Sequence, residues 1–583
     1  MYQNINHQLS RILYRMAAIY EFLGDPYRAR AYSRAARLIE ALPDDIRHLA
    51  EEHRLKALRG IGPRIAAKIE EFIQTGKISR YEELRRKVPE DFLDLLDLPG
   101  LGPKSLKKIH DELGITTKEE LLQALRDGRI ARLEGFGPKK VEKILKAFER
   151  QELARRRILL WEALQIARHL EREVGQIAGI ERVQVAGSLR RRRETIGDFD
   201  LLGLASEERF SEIMRRFVRF PEVEEVLVEG PRKSSVVMRF GGERRQVDFR
   251  LFKREEWGAA LQYFTGSKQH NVHLREIAKE RGLKLNEYGV FRIEDGARVA
   301  GETEEGVYGA LGMACPPPEI REDQGEIEAA LSGQLPSLVD YGQVKGDLHL
   351  HSTWTDGAFS LREIALYVRE KFPHYRYLVV TDHSQAVKVA NGLTPERLIA
   401  QRREIDAVNA ELGEDFLKQG IELDILPDGT LDLPDEALAR LDWVVASIHS
   451  QFNRDNTDRI LRAMENPYVN AIGHLSGRLI GQRDPYPVDI ERVVEKAKET
   501  GTALEINAQP RRMDLKESWV RFAREAGVKL VVNSDSHHLG HFDYMEIGIA
   551  IARRGWCGRE DLLNTGPWER IAEFVDRKRF VRI

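Results

Sequence analysis

Cysteine is nearly missing from this chain: only Cys315 and Cys557 occur among 583 residues. Two cysteines so far apart build no disulfide framework and fit a reducing compartment. Long apolar runs are missing too. No stretch of about 18 or more apolar residues occurs, which excludes a membrane-spanning helix. The start, MYQNINHQLSRIL, lacks the basic-then-apolar build of a secretory signal, so the cytoplasm is the expected compartment. Excess charge of either sign is also small, with 92 Lys and Arg against 94 Asp and Glu for a net of −2. Bulk charge therefore announces no polyanion binder, and the distribution becomes informative instead. Residues 51–160 hold 25 Lys and Arg against 19 Asp and Glu, and Arg190 to Arg193 are four arginines in a row. Either feature alone reads as an ordinary solvated face.

What is present is length and texture. A chain of 583 residues exceeds one hydrophobic core, and roughly three to five domains are expected. Residues 1 to about 150 read as short amphipathic helices broken by Gly-Pro turns. From about 180 the pattern changes to alternating strands, such as ERVQVAGS, EEVLVEG, SSVVMRF and RRQVDFRLF. The Pro-, Gly- and acid-rich stretch from Cys315 to about Gln343 reads as a linker. After Lys345, short apolar strands alternate with helical segments, the pattern of a β/α architecture.

One unit occurs three times: LRGIGPRIAAKIEEF from Leu58, LPGLGPKSLKKIHDEL from Leu98 and LEGFGPKKVEKILKAF from Leu133. The glycine pairs are Gly60 and Gly62, Gly100 and Gly102, and Gly135 and Gly137. Glycine permits the tight backbone, and Pro is tolerated in the first helical turn, where its missing N–H costs nothing. The free N–H groups at such a start can cradle phosphate, the helix-hairpin-helix logic of sequence-independent DNA binding. A plain helix start after a Gly turn explains one copy better than three.

The second constellation is GSLRRRRETIGDFDLL, followed by RRQVDFR. Gly187 and Ser188 end a strand and open a turn that could grip a triphosphate. Asp198 and Asp200, two apart on the next strand, project from one face, and Asp248 comes from a third strand. Three such carboxylates can hold two divalent cations in oxygen coordination, Mg²⁺ or Mn²⁺, for in-line nucleotidyl transfer. A lone D-x-D is weak evidence; the ordered set is strong.

The third constellation delivers histidines and carboxylates at successive strand ends: His349 and His351, Asp356, His383, Glu422, His449, His474, and then Asp535 and His537. Residues at the C-terminal ends of barrel strands converge on one mouth. Six of the 16 histidines fall in these segments, too many for satisfied core histidines. Mixed imidazole and carboxylate ligands suit Zn²⁺, Mn²⁺ or Fe²⁺. Such a cluster fits phosphoester hydrolysis.

On these motifs residues 1–318 resemble family X DNA polymerases, and the remainder resembles the polymerase and histidinol phosphatase (PHP) superfamily. All nine of the ligand positions usual in that superfamily are filled, and up to three ions are implied, with Glu422 and Asp535 as candidate bridges. The implied fold is multidomain: an all-α helix-hairpin-helix region, an α/β nucleotidyltransferase palm and thumb, and a distorted TIM-like β/α barrel. The implied domains are a lyase-like helical domain at 1–82, helix-hairpin-helix fingers at 83–152, a palm at 153–254, a thumb at 255–318, a linker at 319–344 and a phosphoesterase domain at 345–583. By matching, Arg191 binds the triphosphate, Tyr263, Phe264 and Gly266 lodge the nucleotide, Asn271 faces the incoming pair and Arg275 the template. Arg250 matches a positioning arginine, and Lys268 stands where the vertebrate enzyme has an acid. The first hairpin is similar to the lyase domain of DNA polymerase beta; Lys68 matches its Schiff-base lysine, with Tyr32 and Arg28 at accessory positions. A Schiff-base lysine must be neutral to attack. Arg478, Arg511 or Arg512 could hold a phosphate near the barrel, while His538 and His541 receive no role.

The expectation is therefore a repair polymerase acting on gapped or nicked DNA with dNTPs, joined to a metal-dependent 3′-5′ exonuclease or phosphatase. A nucleotidyltransferase with another acceptor would not need three hairpins. A DNA-binding scaffold with an inactive second half would not need nine convergent ligands.

Overall fold

The computed structural model describes residues 5–40, 46–51, 54, 55, 58, 61–89, 91–96, 101–137, 139–142, 144, 145 and 157–580. Residues 1–155, together with 478–484 and 537–540, form one compact unit, and the rest of 156–583 forms a second.

The described residues of 1–155 form helices joined by turns, with no strand among them. Helices α1 (Ile5–Phe22) and α2 (Pro26–Glu40) pack on α3 (Pro63–Thr75) and α4 (Pro103–Leu113) around one continuous core that includes Leu13, Tyr32, Ile69 and Ile109. Helices α3 and α4 begin and end alike. Pro63 and Pro103 open them, and Gly76 and Gly114 close them in the left-handed region at φ 70° and 66°. There each glycine N–H donates to a carbonyl four residues back, Phe72 and His110 respectively. In its first two copies the internal repeat seen in sequence is thus a repeat of caps.

The second unit contains a five-stranded sheet. Its strands are β1 (Ile180–Val185), β2 (Phe199–Ala205), β3 (Val223–Glu229), β4 (Lys233–Phe240) and β5 (Glu243–Phe252), in the spatial order β1-β2-β5-β4-β3. Strands β2 and β5 run parallel with Asp200 opposite Asp248. Between β1 and β2 lies the short helix α5 (Gly187–Arg190). Helices α6 (Trp257–Thr265) and α7 (Lys268–Glu280) follow, with a small antiparallel sheet of β6 (Leu283–Asn286), β7 (Gly289–Arg292) and β8 (Arg298–Ala300).

Residues 315–343, read from composition as a linker, are packed rather than extended as a tether. Ile327 and Ala330 join the core beneath α7, and Glu319 accepts from Arg553 at 2.8 Å and from the Tyr341 hydroxyl at 3.1 Å. Apolar residues spaced through an otherwise Pro- and acid-rich stretch account for the difference.

Seven parallel strands complete the molecule: β9 (Gly346–Leu350), β10 (Tyr377–Val380), β11 (Leu417–Asp424), β12 (Trp443–Ser447), β13 (Ala471–Ile472), β14 (Ala503–Asn507) and β15 (Leu530–Asn533). They follow one another in order, and nearly every strand residue is buried, as expected when helices cover a parallel sheet. A parallel bridge between Leu350 and Ser536, with the His351 N–H donating to the Ser536 carbonyl at 2.7 Å, brings the last strand back to the first. The expected β/α barrel is therefore present with seven strands. No helix among the described residues is long and apolar enough to cross a membrane.

Candidate active sites

In the palm, register brings the carboxylates together. Asp200 and Asp248 are cross-strand partners, and Asp198 lies in the bend entering β2. The Arg250 guanidinium spans the pair, 3.0 Å from Asp200 Oδ1 and 2.9 Å from Asp248 Oδ2. Burial, reinforced by Asp198 and Asp248, pushes the Asp200 carboxyl up to about 6, although Arg250 offsets part of the shift. Burial acts upward on Asp248 as well, but hydrogen bonds from Gln246 and Ser235 and the charges of Arg250 and Lys233 hold it below its ordinary value. A half-buried carboxylate repelled by two others is complementary to a multivalent cation, so the residues present fit Mg²⁺ or Mn²⁺.

Gly187 fits this cluster sterically. Its φ is +60°, and a Cβ there would lie 2.7 Å from Asp200 Oδ2, so only glycine lets the turn approach the carboxylate. The turn is a short helix rather than an open loop, and the Arg191 N–H donates to the Gly187 carbonyl at 3.3 Å. Arg191 reaches the end of α6, donating to the Thr265 carbonyl, and its Nη1 would be 3.1 Å from a Cβ on Gly266. Tyr263 and Phe264 meet edge-to-face at 5.1 Å, and Arg250 lies over the Phe264 ring at 4.5 Å. Asn271 accepts from Gln262 and donates to the Tyr263 carbonyl, both at 2.7 Å, while Arg275 donates to the Asn271 carbonyl at 3.1 Å. The candidate nucleotide residues therefore form one connected set around the α6–α7 junction, whose Gly266–Ser267 peptide is cis.

At the hairpins, Gly62 and Gly102 adopt nearly the same extended conformation before their helices. No atom would lie within 4 Å of a Cβ at Gly62, Gly102, Gly135 or Gly137, so these backbones face open space. Gly60 and Gly100 lie outside the described residues. Lys68 is half-buried on α3, with its Nζ donating to the Arg64 carbonyl at 3.0 Å. Tyr32 is buried against Tyr20, and Arg28 lies over the Tyr20 ring at 5.5 Å.

In the barrel, strand ends β9 to β15 deliver five imidazoles to one carboxylate. Glu422 has His474 and His383 at 2.8 Å, His449 at 3.2 Å, His349 at 3.5 Å and His351 at 3.6 Å. Donor atoms gather in three groups within 4.8 Å: His351, Asp356, His383 and His537; His349, His351 and Asp535; and His383, Glu422 and His449. His474 and Asp535 hold their backbones at positive φ, 26° and 51°, strain that a packed site must hold in place. Burial opposes protonation of His383, yet Glu422 and Asp356 raise it to about 10. His349 is likewise raised well above its ordinary range, against burial, by Glu505, Glu422 and Asp535. Buried atoms His349 Nε2, His449 Nε2 and His474 Nδ1 complete no hydrogen bond. Orphaned imidazole nitrogens around an anionic centre fit a transition-metal cluster.

Sequence reasoning missed the groups that hold these candidate ligands. Glu505 Oε1 is 2.6 Å from His349 Nδ1, and Asp424 Oδ1 is 3.0 Å from His449 Nδ1. Asp382 accepts from Ser352 at 2.6 Å and Gln401 at 2.7 Å between two ligand segments. Asp424, two residues from Glu422, shares its strand face and was recoverable from alternation; nothing local marks Glu505. Arg512 lies 3.4 Å from Asp535.

Residues 260–322 match the family model for a DNA polymerase beta thumb. A helix-hairpin-helix domain model matches residues 4–78, and a SAM-like helix-hairpin-helix tandem matches 92–150. The chain is 42% identical over 571 residues to the DNA polymerase/3′-5′ exonuclease PolX of Bacillus subtilis, covering 97% of this chain and 98% of that protein. A "Probable phosphatase" of Acetivibrio thermocellus is 34% identical over 257 residues, 40% of this chain and 95% of the relative. DNA polymerase lambda of Arabidopsis thaliana is 26% identical over 308 residues, 49% of this chain and 55% of that protein.

Proposed function

Because the chain belongs to the bacterial family X DNA polymerases that carry a C-terminal PHP domain, its enzyme class is DNA polymerase with 3′-5′ exonuclease activity, and we propose that it fills short gaps during DNA repair. The observation that carries the synthetic half is the Asp200–Asp248 register with Asp198 beside it and Gly187 pressed against Asp200. Divalent cations held by these carboxylates, and transition-metal ions in the barrel, would supply the charge neutralisation that phosphoryl transfer requires. Arg250 keeps two of the carboxylates in place and lies over the Phe264 ring, tying the palm cluster to the α6 end. Ser188 and the α5 N–H groups face the triphosphate, Arg191 pairs with its charge, and Tyr263, Phe264 and Gly266 hold the sugar. Asn271 gives up its bonds within the α6–α7 junction to meet the incoming base pair, with Arg275 toward the template. The open backbones at Gly62, Gly102, Gly135 and Gly137 meet DNA phosphates without reading sequence.

In the barrel, Glu422 orients five imidazoles and Asp535 supplies the second shared carboxylate, with Asp356 and His537 on the outer side. A phosphodiester at a DNA 3′ end is received among these side chains. Filling of a one-nucleotide gap by wild type and by Asp200→Ala tests the synthetic reading: the variant loses incorporation, and undiminished incorporation would refute the carboxylate assignment.

A further inference from the structure

The four consecutive arginines that read as a solvated face are each engaged by an acid. Arg190 donates to Glu304 at 2.9 Å, Arg191 to Glu322 at 3.1 Å, Arg192 lies 3.4 Å from Glu546 and Arg193 lies 3.4 Å from Glu517. Glu322 is the point of convergence. The same Oε1 that receives Arg191 lies 3.0 Å from Arg554 Nη1 and 3.7 Å from Arg193 Nη1. Arg554 belongs to the barrel half, on α8 (Met545–Arg554), and its side chain is 3% exposed. It also donates to the Arg191 carbonyl at 2.7 Å and to Glu517 at 3.0 Å.

Three guanidinium groups, Arg191, Arg193 and Arg554, therefore share two carboxylates, Glu322 and Glu517. That set carries one positive charge more than it neutralises, and the side chains of Arg191 and Glu322 are only 13% and 14% exposed. Burial acts against the Arg191 charge, Glu322 supports it, and Arg554 and Arg193 work against it again. A half-buried cation of this kind exchanges one anion for a stronger one when a stronger one arrives. Arg191 sits one turn beyond Gly187 and against Gly266, between the palm carboxylates and the α6–α7 junction.

We propose that Glu322 is a resident stand-in for the nucleotide triphosphate: an incoming dNTP takes Arg191 from Glu322, and Arg554 of the barrel half sets how firmly Glu322 holds it. This rests on the reading of Arg191 as a triphosphate-binding group. Glu322 and Arg554 are positioning residues with opposite signs. Removing the Glu322 charge frees Arg191 for nucleotide. Removing Arg554 leaves Glu322 less neutralised, so it grips Arg191 more tightly. The barrel half thereby tunes nucleotide affinity in the polymerase half without touching substrate.

The test is steady-state filling of a one-nucleotide gap by the full chain with dNTP varied, alongside inhibition by inorganic tripolyphosphate. Glu322→Gln is expected to lower KM about fivefold with kcat nearly unchanged, the signature of altered ground-state binding. The tripolyphosphate inhibition constant falls in parallel, a readout that does not depend on turnover of the nucleotide. Arg554→Met raises KM, and this effect vanishes in the Glu322→Gln background. Should Arg554→Met fail to fold, Glu322→Gln and tripolyphosphate decide the matter alone. An unchanged or raised KM in Glu322→Gln overturns the inference. Arg191→Gln separates the two levels: if it raises KM while Glu322→Gln does nothing, the stand-in idea falls and the triphosphate reading stands. If Arg191→Gln leaves KM unchanged, the triphosphate reading falls, and the inference with it.

Discussion

His349 Nδ1 lies 2.6 Å from Glu505 Oε1, pairing the end of β9 with β14 across the barrel. Glu505 is fully engaged: Oε1 also accepts from Asn533 at 2.8 Å, and Oε2 accepts from the His474 N–H at 2.7 Å and from Asn507 at 3.1 Å. A carboxylate anchored this way fixes the ring and its tautomer and turns Nε2 toward Glu422 and Asp535. Glu505→Gln is therefore expected to weaken metal binding in the barrel about 10- to 100-fold. Metal content after dialysis against graded chelator reads this directly, and equal retention in variant and wild type contradicts it.

Gly187→Ala pushes a methyl group to within 2.7 Å of Asp200 Oδ2 at a φ of +60°. With Asp200 in its proposed role as a metal ligand, a displacement of around an ångström costs on the order of 100-fold in rate. Single-turnover incorporation should show that loss with DNA affinity retained. Incorporation at the wild-type rate would mean that the turn and the carboxylate are independent.

Glu304 joins the polymerase half internally, bound by Arg190 and by Arg321 at 2.5 Å. Burial alone would raise its carboxyl, but Arg321 and Arg190 hold it down at about 2. A depressed pKa contributes stability that is present above the unfolded value of about 4.3 and is lost as pH falls toward the folded value. Glu304→Gln should lower the melting temperature at neutral pH, on the scale of roughly 3 kcal/mol. The gap to wild type stays constant down to about pH 5 and narrows below it. A gap independent of pH assigns the loss to packing instead.

Lys68 is half-buried on α3, and the Arg64 carbonyl that its Nζ meets belongs to the same helix. If it is the nucleophile toward a 5′-deoxyribose phosphate, borohydride traps a covalent enzyme–DNA adduct that Lys68→Ala abolishes. Trapping of equal yield in the variant moves the nucleophile elsewhere.

Much of the fold was legible because local chemistry repeats. Pro63 with Gly76 and Pro103 with Gly114 mark helix ends by residue type alone, and the apolar strands after Lys345 announce a buried parallel sheet. The candidate metal residues could be singled out for a similar reason: few side chains can substitute for Asp200 or His349 at those strand ends, and folding brings them beside other acids and imidazoles. The supporting residues could not. Glu505, Glu322 and Arg554 act through partners 156, 131 and 363 positions away, and no local pattern encodes such pairings. Composition also misled at 315–343, where prolines and acids suggested a tether but Ile320, Ile327 and Val339 are buried. Charge misled at Arg190–Arg193, because a run of one sign says nothing about acids brought to it by folding.

The central claim is two separate sites on one chain, one building DNA and one degrading it. Its most direct test follows a 5′-labelled primer on gapped duplex with Mn²⁺, with and without dNTPs, in wild type, Asp198→Ala and His349→Ala. The account predicts that Asp198→Ala abolishes extension while shortening of the primer persists, and that His349→Ala abolishes shortening while extension persists. Loss of both activities in either variant, or primer shortening that survives His349→Ala, would contradict it.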